Sequence, residues 1–289
     1  MNIQKRLYIA EPHGMCSGVR RALAIVEELL QTDGSPVWVL HELVHNNFLT
    51  GKLKQRGVVF TEDLQEVPEG SRLVFGAHGV SAAAEELAAR KNLVVSDATC
   101  PLVRKLQTAA LDAIRQGEYI FFFGHKKHPE MQGVLGRLPA EQYRIIENAE
   151  EIGALPDMSG IPCCMLSQTT MNSEDVDIIF ERLQERIALI RKGVGCCFAT
   201  SARQKAVREL AEKAEVVLIV GAEHSSNSRR LQEIAAKCGA ESFLLDCVSK
   251  LPLERLETAA SVGISSGAST PEFLFEESVK KLEELGFAR

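Results

Sequence analysis

Short apolar runs that end on polar residues recur along this chain, and helical patterns separate them. Three of the runs, Leu7-Tyr8-Ile9-Ala10, Leu93-Val94-Val95 and Val194-Gly195-Cys196, lead to Cys16, Cys100 and Cys197, and helical patterns start near Ser17, Pro101 and Ser201. After Cys16, the residues Val19, Leu23, Val26 and Leu30 recur at the spacing of one helix face. A strand from Val37 then runs to a polar tip at His45, a plain strand covers Val58–Phe60, and Leu73 to Ala77 runs to a tip at His78 before a helix over about 81–91. After the helix from Pro101, the strand Tyr119 to Gly124 ends at His128-Pro129-Glu130. A plain strand lies near Tyr143–Glu147, and Cys163 to Leu166 ends at Ser167-Gln168-Thr169-Thr170. After Cys197 the tipped strands are Val216 to Gly221, ending at Ser225-Ser226-Asn227, and Ser261 to Ile264, ending at Ser266-Gly267-Ala268-Ser269. The plain strand Phe243–Asp246 lies between them, and a final helix is expected with Thr270 as N-cap and Pro271 in its first turn.

Each unit thus reads strand–Cys–helix, strand–tip–helix, strand, strand–tip–helix. The cysteine intervals are 84 residues (16 to 100) and 97 (100 to 197), and 92 residues remain after Cys197. Strands alternating with helices predict parallel sheets joined by right-handed crossovers, and such sheets bind ligands beyond the carboxyl ends of their strands. All three cysteines and all six tips fall at those ends. The expected fold is α/β: three similar parallel-sheet domains, 1–99, 100–195 and 196–289, in a pseudo-threefold trefoil around a shared central site.

Composition narrows the classes. With 289 residues, 45% hydrophobic and 25% charged, the chain suits several well-packed α/β domains. A net charge of −6 argues against nucleic acid as the main partner. No run of eighteen apolar residues predicts a membrane span, and no signal-peptide core precedes the first strand. Eight cysteines without small-scaffold spacing read as thiols rather than a disulfide framework, which suits the cytoplasm.

Cysteines at helix N-termini are stabilised as thiolates by the helix dipole and the free N–H groups there. Three of them sharing one axis suggest a metal or an iron–sulfur cluster with one position left for substrate. Cys196 competes with Cys197 for the third place, and position alone does not separate them. Cys163, Cys164, Cys238 and Cys247 read as packing or surface residues. The tips collect His45, His78, His128, Glu130, Thr169, Thr170, Ser225, Ser226, Asn227 and Ser269. Helix N-termini with neutral donors and imidazoles make an oxyanion site suited to a diphosphate. A lone Ser or Thr after a strand is ordinarily a helix cap, so the shared topological position carries the functional reading. Glu130 is the carboxylate within a tip and the natural proton carrier. Lys126-Lys127 reads as a solvated pair.

Taken together, nine motifs resemble the LytB/IspH family of hydroxymethylbutenyl diphosphate reductases over nearly the whole chain. They are Gly14-Met15-Cys16-Ser17-Gly18-Val19, His41-Glu42-Leu43-Val44-His45-Asn46, Ala77-His78-Gly79-Val80, Asp97-Ala98-Thr99-Cys100-Pro101, Gly124 through His128-Pro129-Glu130, Gln168-Thr169-Thr170, Cys197-Phe198-Ala199-Thr200 with Arg203-Gln204, Ser225-Ser226-Asn227-Ser228 and Gly267-Ala268-Ser269-Thr270-Pro271. The resemblance implies a [4Fe–4S] cluster ligated by Cys16, Cys100 and Cys197 with its apical iron open to substrate, and it favours Cys197 over Cys196. It implies reductive dehydroxylation of 4-hydroxy-3-methylbut-2-enyl diphosphate to isopentenyl and dimethylallyl diphosphates, the final step of the methylerythritol phosphate route. His45, His78, His128, Thr169, Ser225, Ser226, Asn227 and Ser269 would hold substrate, with Glu130, His128 and Thr169 handling the hydroxyl and the proton. A ferredoxin- or flavodoxin-type donor would supply electrons. His13, Cys196 and His224 depart from the family's pattern without removing a role-bearing residue. The competing readings are a three-Cys zinc hydrolase, a non-redox iron–sulfur hydratase, and a non-catalytic iron–sulfur sensor of a phosphorylated ligand.

Overall fold

The structure, a computed structural model, describes residues 5–32 and 34–289. The chain enters on β1 (Lys5–Ile9) and passes Cys16 into α1 (Ser17–Leu30). It continues through β2 (Val37–Leu40), α2 (Asn47–Gln55), β3 (Val58–Thr61), β4 (Arg72–Phe75), α3 (Ala82–Arg90) and β5 (Val94–Asp97). From Cys100 follow α4 (Pro101–Arg115), β6 (Tyr119–Phe123), α5 (Pro129–Leu135), β7 (Tyr143–Ile146), β8 (Cys163–Ser167), α6 (Ser173–Arg186) and β9 (Ile190–Lys192). After Cys197 come α7 (Phe198–Ala211), β10 (Val216–Val220), α8 (Ser226–Lys237), β11 (Glu241–Leu245), α9 (Leu253–Thr258), β12 (Ser261–Ser266), α10 (Glu272–Glu284) and β13 (Phe287–Ala288).

These strands form three parallel sheets, ordered β3-β2-β4-β5, β7-β6-β8-β9 and β11-β10-β12-β1-β13. The three-sheet α/β architecture expected from the pattern is therefore present. In each sheet a plain strand, two tipped strands and a cysteine-leading strand stand in the same order. The chain reverses its winding direction between the two tipped strands. That switch point opens a crevice at their carboxyl ends. One pairing was not foreseen. The strand leading to each cysteine closes the sheet of the preceding repeat, so β1 pairs with β12, in register from Arg6 with Ser261 to Ile9 with Ile264.

Contacts group the chain into two compact units, one of residues 5–17, 45–49 and 198–289, the other of 18–32, 34–44 and 50–197. The first holds the five-stranded sheet. Alternation along β10 sends Val216, Leu218 and Val220 into one core with Leu274, Phe275 and Val279 of α10. Val217 and Ile219 enter a second core with Val207 and Leu210 of α7 and Leu231 of α8. Both faces are covered, which explains why β10 reads as an uninterrupted apolar run. In the other unit, β6 divides the same way: Phe121 and Phe123 pack with Val176, Ile179 and Leu183 of α6, and Ile120 and Phe122 with Leu106 and Ala110 of α4. Each fully buried side chain of this size contributes about 1.5–3 kcal/mol.

Three local expectations are corrected. The strand before Cys197 is Ile190–Lys192 rather than Val194–Cys196, and α7 starts at Phe198 rather than near Ser201. Gly193 lies so close to β8 that an added Cβ would stand 2.6 Å from Leu166, and past β9 the backbone still bonds β8 through Gly193 N–H to Met165 O at 2.8 Å and Ser167 N–H to Val194 O at 3.2 Å. The N-cap of α10 is Pro271, not Thr270. The Thr270 hydroxyl instead donates to the Val220 carbonyl at 2.7 Å and ties the last tip to β10.

Candidate functional site

The three cysteines share one backbone device. The N–H of Cys16 donates to Ala268 O at 2.9 Å, that of Cys100 to Ala77 O at 2.9 Å and that of Cys197 to Thr169 O at 3.0 Å. Each acceptor lies two residues past the end of the second tipped strand of its sheet (Ser266 to Ala268, Phe75 to Ala77, Ser167 to Thr169). Each cysteine is thus pinned to a tip and followed by a helix N-terminus, and Pro101 starts α4 with a preset φ and no N–H to leave unpaired. All three are half-buried thiols. Gly14 holds φ +68° and donates its N–H to Ser266 Oγ at 2.7 Å, which shapes the loop to Cys16. The buried Arg203 donates to Gly14 O at 2.7 Å and to Ala199 O at 2.9 Å, linking that loop to the first turn of α7.

Cys163 and Cys164 differ in kind. They are buried in β8, and burial pushes both thiols up to about 11. A protonated thiol is a poor ligand, so these two serve packing. Cys238 is exposed, and Cys247 is half-buried with its sulfur 3.1 Å from Ser249 Oγ. The Cys196 sulfur lies 3.2 Å from Met171 O.

The tips also repeat geometrically. Five residues beyond the first tipped strand stand His45, His128 and Ser225 (from Leu40, Phe123 and Val220). Three beyond the second stand His78, Thr170 and Ser269 (from Phe75, Ser167 and Ser266). His128 and Ser225 are the N-caps of α5 and α8, so each N–H-rich helix end stands beyond the first tipped strand of its own sheet.

In the unit of residues 18–44 and 50–197, Glu130 is 1% exposed. Its Oε1 accepts the Thr169 N–H at 2.7 Å and its Oε2 accepts the Thr169 hydroxyl at 2.6 Å. His128 Nδ1 accepts the Glu130 N–H at 3.2 Å, which assigns the proton of the neutral ring to Nε2. The His78 and His128 rings meet edge-on, with centroids 5.7 Å apart. Gln168, fully buried, accepts the His125 N–H at 3.0 Å and donates to Thr170 Oγ1 at 2.7 Å. This unit thereby gathers His78, Cys100, His128, Glu130, Thr169 and Cys197.

The other unit gathers Cys16, His45, Ser225, Ser226, Asn227 and Ser269. Ser269 Oγ donates to His45 O at 2.9 Å and Asn46 Nδ2 donates to Ser269 O at 3.0 Å, so two tips brace each other. His224 lies edge-on to His45 at 5.4 Å. Asn227 is 5% exposed, and neither atom of its amide has a hydrogen-bond partner among the described residues. A buried amide left so costs about 1–3 kcal/mol, part of which a ligand oxygen accepting from Nδ2 would recover. Ser228 fills the space beside Gly221 and Gly267, where any Cβ would collide with its side chain.

Sequence reasoning gave no role to Asn46, Gln168, Ser228 or Arg203. The first three adjoin tip residues in the chain, a signal that was available. The burial of Arg203 has no sequence signature.

Fold and site define the class: a three-sheet parallel α/β protein with a thiol-bearing loop and a tip of His, Ser or Thr residues at the carboxyl edge of every sheet. Comparison with known proteins agrees. The family profile described as "LytB protein" matches residues 7–283. The 4-hydroxy-3-methylbut-2-enyl diphosphate reductase of Actinobacillus succinogenes is 40% identical over 285 residues, covering 97% of this chain and 91% of the relative. The Escherichia coli enzyme of that name is 40% identical over 286 residues, covering 97% and 90%. Among solved structures, the E-1-hydroxy-2-methyl-but-2-enyl-4-diphosphate reductase of Plasmodium falciparum superposes with a TM-score of 0.93 at 32% identity, covering 96% of this chain and 88% of that one. A second structure, titled (E)-4-hydroxy-3-methyl-but-2-enyl diphosphate reductase, has a TM-score of 0.70 at 32% identity and coverages of 97% and 99%. The chain belongs to the LytB family.

Proposed function

We propose that this chain reduces 4-hydroxy-3-methylbut-2-enyl diphosphate to isopentenyl and dimethylallyl diphosphates. Two electrons and two protons enter, the allylic hydroxyl leaves as water, and the reaction closes the methylerythritol phosphate route. The observation that carries the reading is the buried Glu130 carboxylate held at both oxygens by Thr169. A diphosphate site needs hydrogen-bond donors, and a carboxylate, which when ionised only accepts and carries the same sign of charge, has no binding role among them. Its place there is that of a proton carrier.

The cofactor is an iron–sulfur cluster, and we assign it as [4Fe–4S] with Cys16, Cys100 and Cys197 as ligands, one from each of the repeats 1–99, 100–195 and 196–289. The donor set fits: three soft, half-buried thiols, each at a helix N-terminus with its own N–H already engaged. When bound, the cluster supplies single-electron chemistry and a Lewis-acidic iron lacking a thiolate.

The protein supplies position and protons. His45, Ser225, Ser226, Asn227 and Ser269, with His78 and His128, are the proposed diphosphate donors. His128 would present its Nε2–H, because Nδ1 is occupied by the Glu130 N–H. The Thr169 N–H cannot leave, so it fixes the carboxylate plane, while the Thr169 hydroxyl can turn over. With Glu130 ionised, that hydroxyl donates to Oε2 and can accept from the substrate hydroxyl. With Glu130 protonated, it accepts from Glu130 and donates to the departing oxygen. The buried pair is therefore a two-position proton relay. Thiols kept reduced and the need for a low-potential electron donor fit the cytoplasm, and no helix among the described residues is long and apolar enough to cross a membrane. The test is anaerobic turnover of the diphosphate by iron-loaded protein with a chemical reductant, reading both products.

A further inference from the structure

Two helices of this chain carry cations where helix electrostatics disfavours them. α1 and α4 have no acidic residue in the first turn, the position where acids are stabilised. Instead, four and five residues after Cys16 stand Arg20 and Arg21, and four and five after Cys100 stand Arg104 and Lys105. The equivalent positions after Cys197 are Ser201 and Ala202. The basic pair is thus a property of two repeats and not the third, so the shared fold does not require it.

All four side chains belong to exposed residues of one compact unit. Arg21 reaches from α1 to the loop before Cys100, donating to Thr99 O and Asp97 O at 3.2 Å each. Arg104 forms an ion pair with Asp97. The two helix starts are knit into one patch, with Cys100 one residue beyond Thr99. Beside it, the edge strand β5 leaves Val94 60% and Val95 39% exposed. Four exposed cations on the starts of two helices, with Arg21 and Arg104 meeting at Asp97, stand out on a chain of net charge −6.

Arg20 and Arg104 close the first turns of their helices, where the helix dipole does not favour a cation and no acid of the same turn offsets it, and Arg21 and Lys105 follow one residue on. Such conflicts mark function. An exposed apolar pair on the same strand as the residue where the cations meet suits a small, wet, charge-steered interface of the electron-transfer kind. We propose that this face, made by the first turns of α1 and α4 with β5, docks an acidic one-electron carrier protein and brings its cofactor beside Cys100. The proposal rests on the reductase reading above. One electron leaves the reduced carrier at each docking, and two dockings supply the pair consumed as the C–O bond breaks, one proton joins the departing hydroxyl to give water, and a second proton forms the new C–H bond of the allylic product.

The test uses holoenzyme and flavodoxin as the acidic probe. Arg20→Glu with Lys105→Glu reverses the patch and leaves Arg21 and Arg104 to hold the Cys100 loop. Expected are a rise of about tenfold or more in the apparent KM for reduced flavodoxin at low ionic strength and a matching rise in the Kd of oxidised flavodoxin by calorimetry. Turnover with reduced methyl viologen should stay within twofold of the parent. The milder pair Arg20→Gln with Lys105→Gln should shift both constants less, in the same direction. Unchanged flavodoxin constants, or equal losses with flavodoxin and viologen, would overturn the docking face. Parent enzyme inactive with viologen would instead remove the reductase reading, and the calorimetric titration would still decide the docking.

Discussion

Replacing Glu130 by Gln isolates the proton from the scaffold. The side chain is 1% exposed, and its oxygens accept two bonds from Thr169, at 2.7 Å from the N–H and 2.6 Å from the hydroxyl. A Gln carbonyl can keep the N–H bond, and its amide can donate to the hydroxyl once that group rotates. The change therefore turns two charge-assisted bonds into neutral ones, a loss of about 1–2 kcal/mol and a fall in Tm of a few degrees. The chemistry suffers more, because Gln cannot carry a proton. Loss of a positioned acid lowers kcat by about 10²–10⁴-fold, or about 3–5 kcal/mol in the barrier. KM should stay level or fall, since a negative charge leaves a site built for a diphosphate. The assay is anaerobic turnover with reduced methyl viologen, with the melting temperature of each variant measured alongside. Thr169→Val, which keeps the N–H and deletes the hydroxyl, should show a comparable kcat loss, and Thr169→Ser should recover to within about tenfold of the parent. A Glu130→Gln enzyme within tenfold of the parent kcat would refute the relay.

Serine at Cys16, Cys100 or Cys197 should each strip or cripple the cluster by iron and sulfide analysis, whereas Cys196→Ser should remain brown and active. Asn227→Leu removes a buried amide with no partner among the described residues, so the unliganded protein should melt at an equal or higher temperature. KM for the diphosphate should rise about ten- to a hundredfold. Burial pushes the Cys163 and Cys164 thiols up to about 11, against about 9.0 for a thiol in the unfolded chain. Stability is then undiminished below pH 9 and falls as pH rises toward 11, because the unfolded thiols ionise first. Cys163→Ala with Cys164→Ala should flatten that alkaline limb in urea melts, although the cavities lower stability overall.

The repeat was legible because it is written in local signals: apolar runs, polar tips and a cysteine before each helix. The tip residues followed from strand ends alone, and the structure reproduces their offsets in all three sheets. Sheet membership of β1 was not legible. Every strand here is parallel, and pairing partners of parallel strands are set by crossovers through distant chain rather than by a hairpin turn. Nothing in Lys5–Ile9 distinguishes β4 from β12 as its neighbour. Thr270 was misread because Thr before Pro is a good capping pair, while the carbonyl it bonds, Val220, lies fifty residues away. The run Val194-Gly195-Cys196 looks like a strand, yet regular pairing stops at Lys192, and past it the backbone meets β8 through single bonds at Gly193 and Val194, so closely that side chains at 193 and 195 would collide with Leu166 and Ser167. Glu130 stood out as an acid among neutral donors, but its clasp by Thr169 and the bracing of Cys16's loop by Arg203 depend on burial, which only packing decides.

The most direct measurement is an anaerobic reaction of reconstituted protein with 4-hydroxy-3-methylbut-2-enyl diphosphate, following reductant oxidised and products formed on the same sample whose iron and sulfide are analysed. The account predicts iron and sulfide in equal amounts, two electrons consumed per substrate, and both isopentenyl and dimethylallyl diphosphates. Zinc without sulfide, a hydrated product formed without reductant, or substrate bound and recovered unchanged would contradict it.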